Sequence, residues 1–347
     1  MTQQKFLIVG AGVAGLTLAK HLIDLGHHIT VIDNGKNRSS AIAAGLINPM
    51  VFRRMTKSWR LDEFSPFAID FYTSWEKECN TQFYHPITIR RMFSSEQERG
   101  YWLKKQQNPD YQDYLTLVTK EDESYSLAKN DFGTGRVKLA SYISTTEFLT
   151  KGKEWIASTN HVLQEQVDYK TIDPANGTYK GKQYDGIIFC EGVEIRHNPW
   201  FNQVPINPTK GETLTIESSS ITESESLNRK CFILPIGDGK FRVGATYVWE
   251  TYEDELTEEG KNDLIEKIRV LTDEPFEVIG HHAGIRPTML DRRPVLGRHP
   301  EYPSLYVYNG LGTKGYMLAP LLSKEMADFI LKETEVDKEV SLGRFTK

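Results

Sequence analysis

Lys5-Phe6-Leu7-Ile8-Val9-Gly10-Ala11-Gly12-Val13-Ala14-Gly15 is an apolar run that breaks into Gly-x-Gly-x-x-Gly. Helical periodicity follows it. Leu16, Ala19, Leu22 and Ile23 fall on one face, and Gly26 is placed to end the helix. A second apolar run, Ile29-Thr30-Val31-Ile32, stops at Asp33, about twenty positions past the glycines. Strand, glycine turn, helix and second strand in this order form a unit that binds a dinucleotide. Gly10 permits the tight turn, Gly12 lets the backbone approach a pyrophosphate, and Gly15 lets the helix pack closely on the strand. Phosphates meet the unpaired N–H groups at the start of the helix, around Val13 and Ala14, and the positive end of its dipole. Asp33 is placed to accept hydrogen bonds from a ribose.

The chain has 347 residues, enough for a large core and two domains. A net charge of −5 argues against a whole-protein electrostatic footprint for nucleic acid. No segment approaches the ~20 apolar residues that cross a membrane. The first strand begins within a few residues of Met1, which leaves no room for a secretory leader. Cys79, Cys190 and Cys231 lie far apart with no paired spacing. That fits reduced, packed thiols and a cytoplasmic location. The adjacent pairs His27-His28 and His281-His282 point to opposite faces of a strand, so no metal site is expected.

No repeat or low-complexity tract interrupts the chain. The Ser39–Gly45 segment, rich in Ser, Ala and Gly, follows Asp33 closely. Helices are expected over 67–78, 96–107, 145–157 and 257–271. Strands are expected over 88–93, 161–169, 184–192, 212–216 and 241–247. Continuous apolar strands in the first, middle and last parts indicate a parallel sheet, and alternation in the intervening pieces indicates an antiparallel sheet with one wet face. The chain is thus expected to cross twice between two domains.

Near the C-terminus stand Gly284-Ile285-Arg286-Pro287 and Asn309-Gly310-Leu311-Gly312-Thr313-Lys314-Gly315-Tyr316-Met317-Leu318-Ala319-Pro320. With the N-terminal fingerprint, Ser39-Ser40-Ala41-Ile42-Ala43-Ala44-Gly45 and Lys210-Gly211-Glu212, these resemble the D-amino acid oxidase superfamily of FAD-dependent enzymes, in its glycine oxidase and sarcosine oxidase group. The likeness spans nearly the whole chain. Gly244-Ala245-Thr246-Tyr247 and the Gly-Thr-Lys-Gly loop also look like the oxidative half of the bifunctional tRNA 5-methylaminomethyl-2-thiouridine enzyme, without its methyltransferase domain. The resemblance implies an α/β fold: a Rossmann-like FAD-binding domain over 1–64, 140–209 and 278–347, and a second α+β domain on an antiparallel sheet over 65–139 and 210–277.

The resemblance also implies roles. Ser39 and Ser40 would bond cofactor phosphates, Val167 would flank the adenine, and Glu191 and Gly192 would sit beside the pyrophosphate or ribose. Ala44, Gly45 and Leu46 would border the isoalloxazine. Gly312, Thr313, Lys314, Gly315 and Tyr316 would set backbone N–H groups and a helix N-terminus at its pyrimidine edge, where reduction places negative charge. Arg286 would pair with a substrate carboxylate, a task that suits its planar, permanently charged fork, and Tyr247 would orient the amine. Phe232 and Thr313 depart from the glycine oxidase pattern, which carries tyrosine and a second arginine there, so simple glycine is not the expected substrate. No cysteine lies in the last loop, so FAD is expected to be non-covalent. The reaction implied is oxidation of a carbon–nitrogen bond in an amino acid or small amine. Oxidation of a tRNA uridine side chain and non-catalytic flavin binding are the alternatives. Arg53, Arg54, Lys57 and Arg60 with Trp59 form a basic segment beside the expected site. It reads either as an attractor of acidic substrate or RNA, or as a solvated helix face balanced by Asp62 and Glu63.

Overall fold

The computed structural model describes residues 2–36 and 39–345. Lys5–Val9 is buried from Phe6 onward and pairs in parallel on both sides, with His28–Ile32 and with Gly186–Phe189. A strand flanked by parallel neighbours and covered on both faces must be apolar throughout, which is why this run does not alternate. Leu305–Asn309 and His161–Leu163 continue the parallel sheet outward, and Val295–Arg298 closes one edge antiparallel, giving six strands.

The helix Val13–Asp24 ends before Gly26, which takes φ +86°, a conformation glycine adopts without steric cost. Its Leu16, Leu18 and Leu22 share one core with Met317, Leu318 and Leu322 of the C-terminal helix Gly315–Lys332. That helix contains Pro320, which has no N–H to give to the Tyr316 carbonyl. The buried Tyr72 hydroxyl donates to that carbonyl instead, at 2.7 Å. Tyr72 belongs to the helix Leu61–Cys79, so a neighbouring helix supplies the donor that proline removes.

The second sheet has nine strands. One edge of it is Glu277–Met289, antiparallel to Ile206–Glu217 along nearly their whole length. Lys240–Gly244, Cys231–Gly237, Ser226–Arg229, Tyr84–Met92, Thr134–Ile143 and the short Leu46–Ile47 follow outward from Ile206–Glu217, and Val248–Trp249 pairs with its other end. The pairings of this sheet are antiparallel, as expected, except that Ser226–Arg229 runs parallel to Tyr84–Met92. Positions 140, 210 and 278, where a change of domain was expected, lie inside Thr134–Ile143, Ile206–Glu217 and Glu277–Met289, so each strand continues across the expected boundary. The expected strand over 161–169 stops at Leu163, where its partner among the described residues, His28–Ile32, ends opposite it at Ile32. No helix among the described residues is long and apolar enough to cross a membrane.

Candidate functional site

A cavity of about 580 Å³ lies between the loops at the carboxyl ends of the parallel strands and one face of the large sheet. Lys5–Val9 leads to its helix on one side of the sheet order, and the next neighbour, Gly186–Phe189, arrives from far along the chain on the other. Such a switch point opens a crevice in which ligands of α/β sheets bind.

Gly10 and Gly12 line this cavity, with Val13 and Ala14 at the start of the helix. Gly10 has φ +106°, and a Cβ there would lie 2.4 Å from the Cys190 carbonyl oxygen. Gly15 does not line the cavity. A Cβ on it would lie 1.9 Å from the Gly10 carbonyl oxygen, so its absence is what allows helix and turn to touch. A Cβ on Gly12 would meet only the Ser40 hydroxyl, at 3.0 Å, with the cavity beyond. Ser40 Oγ accepts from the Val13 N–H at 3.1 Å and so satisfies one of the first-turn donors. Asp33 accepts from the Ala11 N–H at 2.6 Å and from the Gly35 N–H at 2.7 Å. Both of its oxygens thus brace the turn, and each retains a lone pair toward the cavity it lines.

Ser39, Ala44, Gly45 and Leu46 continue the wall, with Val167, Glu191 and Gly192. Val167 sits in the loop after His161–Leu163 rather than on the expected strand. Glu191 is buried and accepts from the Tyr169 hydroxyl at 2.5 Å and from Asn198 Nδ2 at 2.8 Å. Burial pushes its carboxyl up to about 7 from an ordinary 4.5, against the two hydrogen bonds that favour the ionised form. In that window the native chain holds a proton the unfolded chain has released, so stability should fall as pH rises from about 4.5 to about 7. Glu191→Gln should flatten this slope, by at most about 3 kcal/mol. Urea unfolding of both proteins at the two ends of the window checks it, and equal slopes would overturn the assignment.

At the opposite end Gly312, Thr313, Lys314, Gly315 and Tyr316 line the cavity at the entry to the C-terminal helix. The Tyr316 hydroxyl donates to the Ser40 carbonyl at 2.8 Å, which ties this end to the phosphate-side wall. Burial lowers the Lys314 ammonium to about 8. Arg286 lies on the edge strand Glu277–Met289 opposite Thr209, and its guanidinium folds over Gly211, where a Cβ would come within 2.0 Å of Nη2. Nη1 is 3.4 Å from the carbonyl oxygens of Lys210 and of Thr246, and the guanidinium stands 4.5 Å from the centre of the Tyr247 ring. Burial depresses its pKa, and among the described residues no carboxylate pairs with it. Tyr247 lines the cavity, is 54% exposed, and stacks on Trp249. Phe232 and Thr313, the two departures from the glycine oxidase pattern, are both in the wall.

The structure therefore brings every expected site residue except Gly15 to one cavity. It also adds Thr213, which is buried, lines the cavity, and has an Oγ1 without a partner. Alternation from Gly211 would have put Thr213 on the same face, but nothing in the local sequence marks that face as the cavity. Asn48 is a second addition to the wall.

The basic segment is not a helix face. Met50–Val51 and Thr56–Lys57 form a hairpin around a 3₁₀ turn at Phe52–Arg54. Lys57 pairs with Asp62. Arg60 pairs with Glu63 at 2.8 Å, Glu325 at 2.6 Å and Asp337 at 3.6 Å. Balance by Asp62 and Glu63 is thus present for two of the four charges, and Arg53 and Arg54 are exposed at the tip.

The profile of a family described as "DAO: FAD dependent oxidoreductase" matches residues 5–329. The glycine oxidase of Bacillus licheniformis is 24% identical over 94% of this chain and 92% of its own. The tRNA 5-methylaminomethyl-2-thiouridine biosynthesis bifunctional protein MnmC of Marinobacter nauticus is 20% identical, over 97% of this chain and 58% of its own. The crystal structure of glycine oxidase from Geobacillus kaustophilus superposes with a TM-score of 0.82 at 18% identity, covering 99% of this chain and 98% of that one.

Proposed function

Because the chain belongs to the DAO family of FAD-dependent oxidoreductases and acts on amino acids or amines, we propose that its substrate is an amino acid whose carboxylate is held by Arg286. The observation that carries this reading is a part-buried guanidinium in the cavity wall with no carboxylate of its own among the described residues. A cation in that position is costly unless an anion joins it, and a planar carboxylate fits its fork.

The residues present fit FAD. Gly12 leaves a cradle that a side chain would fill, Val13 and Ala14 at the start of the helix line it, and the cavity runs from Asp33 to the N-terminus of the last helix. Gly10, Gly12, Val13, Ala14 and Asp33 would hold the dinucleotide, with Ser39, Ser40, Val167, Glu191 and Gly192 along it. Held by these residues, FAD would supply the acceptor for a hydride from the carbon that bears the amine. Arg286 fixes the substrate so that this carbon is presented in one orientation. Tyr247 covers the guanidinium on its outer side, and Phe232 and Leu46 supply apolar wall that excludes water. The amine must react as the neutral base, since a protonated one cannot support the developing positive charge. The imine product then hydrolyses. The tRNA alternative has less support, because Lys57 and Arg60 are already neutralised by carboxylates.

Two measurements test the reading. Purified protein should be yellow, and acid precipitation should release the colour, since no cysteine lies in the Gly312–Tyr316 loop. A colour that stays with the precipitate would refute non-covalent binding. Under anaerobic conditions, amino acids should bleach the flavin faster than their decarboxylated amines. Equal bleaching by both would overturn the carboxylate assignment, and no bleaching by any amine would favour a non-catalytic flavoprotein.

A further inference from the structure

Along Ile206–Glu217, Thr213 stands opposite Gly244 and Lys210 stands opposite Val248. Two residues, Gly211 and Glu212, therefore face three, Ala245, Thr246 and Tyr247, and the extra residue makes a bulge. In an unbroken antiparallel ladder, facing residues exchange N–H groups and carbonyls in both directions. Here the Thr246 N–H donates to the Glu212 carbonyl at 3.2 Å, but the Glu212 N–H donates to Thr246 Oγ1, at 2.8 Å. The hydroxyl takes the place of its own carbonyl in the ladder. That carbonyl is turned to Arg286 and accepts from Nη1 at 3.4 Å, as the Lys210 carbonyl does at the same distance. Thr246 is buried, while Ala245 and Tyr247 on either side of it line the cavity. With Nη1 engaged by two carbonyls, Nε and Nη2 form the edge of the guanidinium that has no hydrogen-bond partner among the described residues. Nη2 lies over Gly211, where the missing side chain leaves it room.

We infer that Thr246 is a positioning residue for Arg286: its hydroxyl closes the bulge and frees its carbonyl to anchor Nη1, so that the Nε–Nη2 edge is the one offered to a substrate carboxylate. The inference rests on the reading of Arg286 above, and adds which edge of the fork is used and what sets it. Two parallel N–H···O bonds need the fork held in the plane of the carboxylate, and an anchored Nη1 fixes that plane before the substrate arrives. Thr246→Val keeps the shape of the side chain and removes the acceptor. An unpaired buried N–H is costly, so the Glu212 N–H then draws on the Thr246 carbonyl, and Arg286 loses that anchor.

The test follows flavin reduction by an amino acid and by its decarboxylated amine in FAD-loaded wild type, Thr246→Val, Thr246→Ser and Gly211→Ala, and in each variant combined with Arg286→Ala. Thr246→Val should lose at least about tenfold of the preference for the acid, mainly through KM, and lose less on the amine. Thr246→Ser keeps the hydroxyl and should stay near wild type. Gly211→Ala places a methyl group 2.0 Å from Nη2 and should lose the preference as well. In the Arg286→Ala background neither change should lower the preference further, because residues that act through one another are not additive. Should Thr246→Val not fold, Thr246→Ala removes the same acceptor and decides in its place. A preference kept in Thr246→Val, or lost as fully in Thr246→Ser, overturns the role of the hydroxyl. Equal loss on acid and amine, or further loss in the Arg286→Ala background, makes Thr246 a structural residue only and overturns it too. A preference kept in Gly211→Ala overturns the choice of edge. A wild type with no preference for the acid refutes the reading of Arg286 itself, and this inference falls with it; every other adverse outcome leaves that reading standing.

Discussion

Arg286→Ala is expected to retain FAD and lose most amino-acid oxidation. The side chain makes only long contacts to two carbonyls and lies over Gly211 and under Tyr247, so its removal leaves no buried carboxylate unpaired and the fold should survive. Charge-assisted hydrogen bonds contribute roughly 1.5–3 kcal/mol each, and a carboxylate held by two of them should lose kcat/KM by on the order of 100-fold or more. Arg286→Lys should recover little, since an ammonium cannot reproduce the planar fork. The check is paired kinetics on an amino acid and its decarboxylated amine. Wild type should prefer the acid, and Arg286→Ala should lose that preference while the slower amine reaction persists. Equal loss on both compounds would mean that Arg286 positions the flavin or supports the fold.

The glycine turn should separate into two kinds of defect. Gly15→Ala puts a methyl group 1.9 Å from a backbone oxygen, and no side-chain rotation can relieve that. The helix must lift from the turn, a strain of about 1–3 kcal/mol or more, and FAD binding is lost with the geometry. Gly12→Val meets only the Ser40 side chain, which can shift at the cost of its bond from the Val13 N–H, so the FAD-free chain should lose less stability than Gly15→Ala. Its branched side chain fills the place where a pyrophosphate must approach the backbone, so it should purify colourless. It should also lack the stabilisation that ligand binding confers on the folded state. Normal flavin content in Gly12→Val would refute the contact, and a Gly15→Ala protein as stable as wild type would refute the packing role.

The first strand–turn–helix–strand unit was legible because its signals are local: unbroken apolar strands, glycines at fixed spacing, and Gly26 at the helix end. The helix 145–157 was read to the residue, and Thr257, which accepts from the Gly260 N–H at 3.0 Å, marks the next start as its side chain suggests. Strand lengths were less legible, because a partner decides them. His161–Leu163 stops where its neighbour stops, whereas Ile206–Glu217 and Glu277–Met289 run through Pro208, Gly211 and Pro287 because each supplies the other's ladder. The parallel pairing of Ser226–Arg229 with Tyr84–Met92 leaves no trace in either segment. Of the two readings of the basic stretch, the helix face fails in its geometry although Asp62 and Glu63 do balance Lys57 and Arg60; two short paired strands and a 3₁₀ turn lack any period long enough to recognise. The hydrogen bonds from Lys314 to the Asn48 carbonyl and the Ser58 hydroxyl join residues that no spacing rule connects.

The two walls of the cavity have different genetic addresses. Gly10 and Gly12 stand at a loop end of the parallel sheet with Gly15 packed behind them, and at Gly10 and Gly15 a Cβ would run into a backbone oxygen. Thr213 and Phe232 stand on neighbouring parts of the mixed sheet, in ladders held by backbone bonds that accept many side chains. Mutation at 213 or 232 alters the size and polarity offered to a substrate without touching a residue that the glycine turn depends on. Descent can therefore retain one redox apparatus while the choice of amine drifts. On this account, lineages sharing the turn should diverge first along the strands of the mixed sheet.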